Sequence, residues 1–219
     1  MAYAALIGAE VKRKEDPRLI RGAGSYVGDL KLPGMLHVAL VRSPHAHAAI
    51  GAINIAPALA VPGVTAVYTA AELADLCDPL PLASSGEGGG GSGTYAGRVR
   101  YVLAREVVRH VGEPVAAVLA TSFEAAIDGA AAVDVDWQPL PAVSDMLRAL
   151  EADAPRVFAG MENNIDHRRA RRKGDADAAF AAAHRIVKQR MVNQRVFGMP
   201  MEGRAVAAAP DPATGGVTL

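Results

Sequence analysis

Two carboxylates have surroundings that could suit a general base: Glu113, which precedes Pro114, and Glu202, which follows Met201. A carboxylate in an apolar setting can have its pKa raised toward neutrality and then accept a proton. Neither has a partner acid, a nucleophile or a metal ligand close by in sequence, so a structural hydrogen-bonding role is the preferred reading for both. His45 and His47 lie two positions apart, which on a strand would set both imidazoles on one face as a metal pair. Two ligands without a third histidine or carboxylate at matching distance make a weak site. The favoured alternative is a turn that orients the following segment, with the Arg42 guanidinium packed or paired.

Three other features invite chemistry and have a plainer explanation. Consecutive glycine amides from Gly88 to Gly93 could cradle a phosphate, but no Lys-Ser or Lys-Thr follows and no helix start adjoins them. The run Arg168-Arg169-Ala170-Arg171-Arg172-Lys173 could meet nucleic acid, yet it lacks aromatic neighbours for base stacking and follows Glu162 and Asp166. A solvated loop or a subunit contact fits it better, and no nucleic-acid partner is expected. Cys77 has no basic group beside it in sequence to form a thiolate, so it reads as an inert small residue. No catalytic, cofactor-binding or metal-binding residue is assigned on these grounds.

Composition narrows the classes further. The 219 residues are 51% hydrophobic, enough for one good core or two modest ones. Acidic and basic residues balance at 23 each, so no global field selects nucleic acid, an anionic membrane or acidic substrates. A single cysteine excludes an internal disulfide and any multi-cysteine zinc or iron–sulfur site made by these residues alone. No segment approaches the roughly 20 apolar residues that span a bilayer, and no signal-peptide pattern opens the chain, so a soluble, cytoplasmic protein without a membrane partner is expected.

The elements that must position these groups follow from periodicity. Residues 8–32 read as an irregular arm. After the Pro33-Gly34 turn, Met35 to Val41 has the length and apolarity of a buried strand, and Ile50–Ile55 and Val64–Tyr68 suggest two more. Thr69 and Glu72 have capping-box spacing for a short helix over Ala70–Leu76. The glycine-rich stretch near 86–93 is expected to be a mobile surface loop.

Order is expected to return with Val99 to Leu103. Val115 to Ala120 reads as a central strand begun by Pro114, and Thr121 with Glu124 repeats the capping spacing ahead of a helix with Ala125, Ala126, Ala130 and Val133 on one face. Val133 to Trp137 suggests another strand, and the alternation is α+β in character. Residues 144–172 form a polar boundary region. Asp175 can cap a helix through Ala183, and Arg185 to Val196 alternates as a half-exposed strand would. Ala205–Ala209 and Val217–Leu219 flank the turn residues Pro210 to Gly216, so a hairpin is expected that these residues leave unfinished, in a chain that is truncated or completed by another. Association through that unfinished sheet is expected.

Several segments taken together resemble the large subunits of molybdenum hydroxylases, the xanthine dehydrogenase, aldehyde oxidase and carbon monoxide dehydrogenase family. They are Glu15 to Leu19, Gly22 to Asp29, Leu32 to His37, and Val41-Arg42-Ser43-Pro44-His45-Ala46-His47-Ala48, followed in order by Pro62 to Val64, Val111-Gly112-Glu113-Pro114-Val115-Ala116 and Val135 to Val143. Gly174-Asp175 with Ala178 to Ala181, and Pro200-Met201-Glu202 with Arg204, are similar to the start of the family's cofactor-bearing domain. The resemblance covers nearly the whole chain.

It implies an arm over residues 1–17, an α/β hammerhead domain over 18–143, a linker over 144–173 and the truncated start of a molybdopterin-binding domain over 174–219. It further implies oxidation of an aldehyde, an N-heterocycle or carbon monoxide with water as oxygen source. The complete enzyme would carry molybdenum–molybdopterin, with iron–sulfur clusters and FAD on other subunits or domains. Its partners would be the remainder of the molybdenum subunit, an iron–sulfur subunit, a flavin subunit and a small-molecule substrate. The family's cofactor-gripping loops and catalytic glutamate fall beyond Leu219, so none is carried onto a numbered residue here. The competing expectation is a non-catalytic hammerhead binding or assembly module.

Overall fold

The computed structural model describes residues 8, 10–80, 99–165, 173–194, 196–200 and 202–219. The glycine-rich stretch at 86–93 and Arg168 to Arg172 of the basic run lie outside the described residues. The chain divides into two compact units, Gly34–Gly174 and the pair of segments Met1–Pro33 with Asp175–Leu219. A single helical turn, α1 (Asp16–Leu19), belongs to the latter.

The Gly34–Gly174 unit holds two three-stranded antiparallel sheets. Its strands and helices in chain order are β1 (His37–Arg42), β2 (Ala48–Asn54), α2 (Ala56–Leu59), β3 (Val64–Thr69), β4 (Val107–Val108), β5 (Pro114–Ala120), α3 (Phe123–Ala132) and β6 (Asp134–Pro139). One sheet has the order β1-β5-β3 and the other β4-β2-β6. The Pro-Val-Ala-Ala-Val-Leu-Ala run of β5 is apolar throughout because this strand is central, and Val115, Ala116, Val118 and Ala120 are fully buried. Pro114 opens the strand, where the missing donor does least harm.

Small side chains let helix and sheet approach closely. A Cβ built on Gly129 of α3 would lie 2.7 Å from Cγ2 of Val64 and 2.9 Å from Cγ1 of Val118, so only glycine fits between helix and sheet. Ala58, Val67, Ala116, Val118 and Val133 form the core at this contact. A second cluster, Ala48, Ala104, Val108 and Val115 with Trp137 packed against it, lies toward the other sheet. Gly51 in β2 makes room within its own sheet: a Cβ there would meet the Asp136 carboxylate of the neighbouring strand β6.

Two helix starts differ from the sequence expectation. The cap of α3 is Ser122, whose hydroxyl accepts the Ala125 N–H at 3.1 Å, and not Thr121. The Thr121 N–H donates to the Gly63 carbonyl at 2.9 Å, so its backbone still belongs to the strand end and the helix begins one residue later. At Thr69 half of the expected exchange forms: Glu72 accepts from the Thr69 N–H at 2.7 Å, but the Thr69 hydroxyl donates to the same carboxylate at 2.6 Å and accepts from the Ala71 N–H at 3.3 Å. Residues 70–76 form successive turns and no helix.

In the other unit, α4 (Ala176–Ala182) is capped as expected by Asp175, which accepts the Ala178 N–H at 3.0 Å. Residues 185–194 and 196, expected as a strand, are exposed and form no strand, with no partner strand among the described residues. A strand needs a neighbour to receive its backbone groups, whatever its side-chain alternation. Ala205–Ala209 likewise contributes only its last residue to pairing: β7 (Ala209–Pro210) and β8 (Val217–Thr218) make a two-residue hairpin, Ala209 opposite Thr218. Its turn is closed by Asp211, which accepts from the Ala213 N–H at 2.9 Å and the Thr214 hydroxyl at 2.7 Å. The Thr214 hydrogen bond, then that of Ala213, holds the Asp211 carboxyl below the usual range. Among the described residues no helix is long and apolar enough to cross a membrane.

Candidate functional site

The segments with the most distinctive sequences converge at one end of the Gly34–Gly174 unit. The Arg42 guanidinium donates to the Gly112 carbonyl at 2.8 Å, the Ser43 N–H to the Glu113 carbonyl at 2.9 Å, and the Gly112 N–H to the Ser43 carbonyl at 2.8 Å. Gly112 has φ +85, a left-handed turn that suits glycine and lets two chain segments exchange these bonds. Ser43 is buried and its hydroxyl both donates to the His45 carbonyl and accepts the His45 N–H, at 3.0 Å each. A tight turn therefore carries the chain from β1 into β2.

The two histidines separate within that turn. His45 packs edge-on against Trp137 with ring centroids 5.8 Å apart. His47 places Nδ1 2.8 Å from the Pro141 carbonyl, and the Leu140 N–H returns a bond to the His47 carbonyl at 2.9 Å. The residues lie on bends and not on a strand, so the two-residue spacing does not put both rings on one face. Each imidazole instead ties the turn to the β6 end. Among the described residues no three His, Cys, Asp or Glu side chains come together as a metal cluster.

Glu113 is buried, 8% exposed, and its carboxylate is engaged locally. Oε2 accepts the Arg109 backbone N–H and lies 3.5 Å from His110 Nδ1, while the Glu113 N–H donates to the His110 carbonyl at 3.2 Å. This is the geometry of a carboxylate that holds the turn joining β4 to β5. Glu202 is exposed on the other unit, and Cys77 is a free, half-buried thiol beside Leu73 and Leu103. Sequence reasoning passed over Arg109. Its side chain donates to the Val107 carbonyl at 2.9 Å and lies over the Phe158 ring at 4.8 Å. The one signal in sequence was its place four residues before Glu113.

Farther along, Arg148 donates to both carboxylate oxygens of Asp153, at 2.7 and 3.0 Å, and to Glu151 at 2.9 Å. The Arg148 hydrogen bonds and charge hold the Asp153 carboxyl below its ordinary value. Asn164 accepts the Val157 N–H at 2.9 Å and donates to the Pro155 and Ala149 carbonyls, so one amide closes the loop that carries Phe158.

Comparison with known proteins places this geometry. Residues 21–141 match the model of the aldehyde oxidase and xanthine dehydrogenase a/b hammerhead domain, and residues 157–219 match that of the molybdopterin cofactor-binding domain. The chain is 39% identical to the 6-hydroxypseudooxynicotine dehydrogenase complex subunit gamma of Paenarthrobacter nicotinovorans, over 95% of this chain and 26% of that protein. It is 38% identical to the carbon monoxide dehydrogenase large chain of Afipia carboxidovorans, over 97% of this chain and 27% of that one. Among solved structures, quinoline 2-oxidoreductase from Pseudomonas putida superposes with a TM-score of 0.68 at 38% identity, covering 81% of this chain and 22% of that one. The chain thus spans about a quarter of the length of these curated relatives.

Within the stretch matching the cofactor-binding domain, Val187, Met191, Phe197 and Met199 are each at least 80% exposed. The turns at Ser43, Gly112 and Pro141 act as scaffold, and it is the hammerhead match over residues 21–141 that assigns the chain to the aldehyde oxidase and xanthine dehydrogenase family of molybdopterin proteins.

Proposed function

We propose that this chain is part of the large, molybdenum-bearing subunit of a hydroxylase that oxidises an aldehyde, an N-heterocycle or carbon monoxide with water as oxygen source. The observation that carries the proposal is the succession of a hammerhead match and a molybdopterin cofactor-binding match along one chain. In this reading the hammerhead occupies residues 18–143 and docks against the cofactor-bearing remainder of the subunit. Iron–sulfur clusters and FAD on other subunits or domains accept the electrons. The exposed apolar residues between 186 and 206 support a stretch that packs against further protein, since contiguous apolar exposure of this kind marks an interaction surface. A cytoplasmic location belongs to the same proposal, supported by a chain with one cysteine and therefore no internal disulfide.

The test is to recover the native protein from its source with an antibody raised against this chain and to measure its metals and flavin. Molybdenum near one atom per chain, with iron and FAD in the same complex, is the expected result. Recovery of a complex free of molybdenum would instead favour a hammerhead module without redox chemistry. The isolated 219-residue chain is expected to take up no molybdenum, and stoichiometric metal in it would overturn that expectation.

A further inference from the structure

A cavity of about 260 Å³ lies between residues 99–113 and Phe158, and its wall is unusually rich in arginine. Arg100, Arg105 and Arg109 line it, against the two carboxylates of Glu106 and Glu113. Glu113 is committed to the Arg109 backbone N–H and to His110, as described above. The Arg105 guanidinium carbon sits 3.6 Å from the centroid of the Tyr101 ring, and that of Arg109 4.8 Å from the Phe158 ring. Stacking on an aromatic face fixes the plane of a guanidinium and leaves its in-plane N–H donors for an acceptor.

One of those donors is unmet. Arg109 Nη1 donates to the Val107 carbonyl at 2.9 Å, but its buried Nε has no hydrogen-bond partner among the described residues. An arginine cannot shed its charge to relieve this, and a buried N–H on a cation calls for an oxygen acceptor.

We infer that this cavity is a binding site for an oxyanion, a carboxylate or a phosphoryl group, held by Arg109 with Arg105 and Arg100. The volume, several times the roughly 30 Å³ share of one water molecule, accommodates either group. The planar fork of Arg109 matches two oxygens of one anion. Because Nε is covered, an oxygen reaches it only once its cover moves aside. The inference stands on residues of the Gly34–Gly174 unit alone and does not depend on the proposed oxidoreductase role.

The experiment is a titration of the ¹⁵N-labelled 219-residue chain with sodium phosphate and, separately, sodium acetate, at ionic strength held constant with sodium chloride. The Arg109 Nε–H resonance, assigned by its loss in Arg109→Lys, should shift and saturate. Arg105→Ala, at an exposed position, should weaken that saturation at least tenfold, while Arg148→Ala, outside the cavity, should leave it unchanged. Tighter binding of phosphate assigns a phosphoryl ligand, and tighter binding of acetate a carboxylate; both outcomes support the site. Shifts that stay linear with both anions, or that Arg105→Ala does not alter, would overturn it.

Discussion

His47 Nδ1 lies 2.8 Å from the carbonyl oxygen of Pro141, across 94 positions of sequence. A carbonyl only accepts, so the proton of this bond is on Nδ1, and the imidazole locks the turn after β1 to the end of β6. His47→Ala should cost about 1 kcal/mol of stability, the usual net worth of one such bond. Urea unfolding would measure it, and an unchanged midpoint would show the turn to be held by the backbone bonds at Ser43 and Leu140 alone.

Ser122, and not its neighbour, caps α3. Ser122→Ala should therefore cost about 1 kcal/mol. Thr121→Ala removes only a 3.4 Å hydroxyl contact to the Gly63 carbonyl and should cost less than half as much. Equal losses in the two variants by chemical denaturation would reassign the cap.

Gly129 sits mid-helix, where alanine ordinarily gains about 1 kcal/mol. Here a methyl group would collide with Val64 and Val118, and strain of about 1–3 kcal/mol is expected from overpacking. Gly129→Ala should thus lower the thermal midpoint, whereas Gly28→Ala, with nothing within 4 Å of its Cβ, should not.

Hydrogen bonds from the Thr69 hydroxyl, then from the Thr69 N–H, hold the Glu72 carboxyl below its ordinary value. A carboxyl depressed by folding contributes stability that is present above its unfolded value and lost as pH falls through the lower folded value. Thr69→Val removes the hydroxyl donor. NMR titration should then place Glu72 closer to the ordinary glutamate range, with the acid-side loss of the turn beginning at higher pH.

Much of the hammerhead unit was legible in sequence because burial leaves a local mark. Val115 to Ala120 is apolar on both faces and proved central, and the β1, β3 and β6 segments carry enough apolar or β-branched residues to be found within a residue or two. Asp175 announced its helix by type and position. The strand expected over 185–196 failed for a reason outside those residues: alternation describes a surface, and a strand exists only where another strand takes its backbone bonds.

The amino-acid order by itself determined which segments are apolar, where glycine permits a left-handed turn, and which motifs place the chain in its family. Tertiary structure alone decided that Thr121 surrenders the helix cap to Ser122, because its N–H is spent on Gly63, 58 residues earlier in the chain. It also decided that Arg109 lies over Phe158 and that His45 and His47 part company. These outcomes depend on which distant backbone groups and rings come within bonding distance, and short-range forces along the chain carry no record of that meeting.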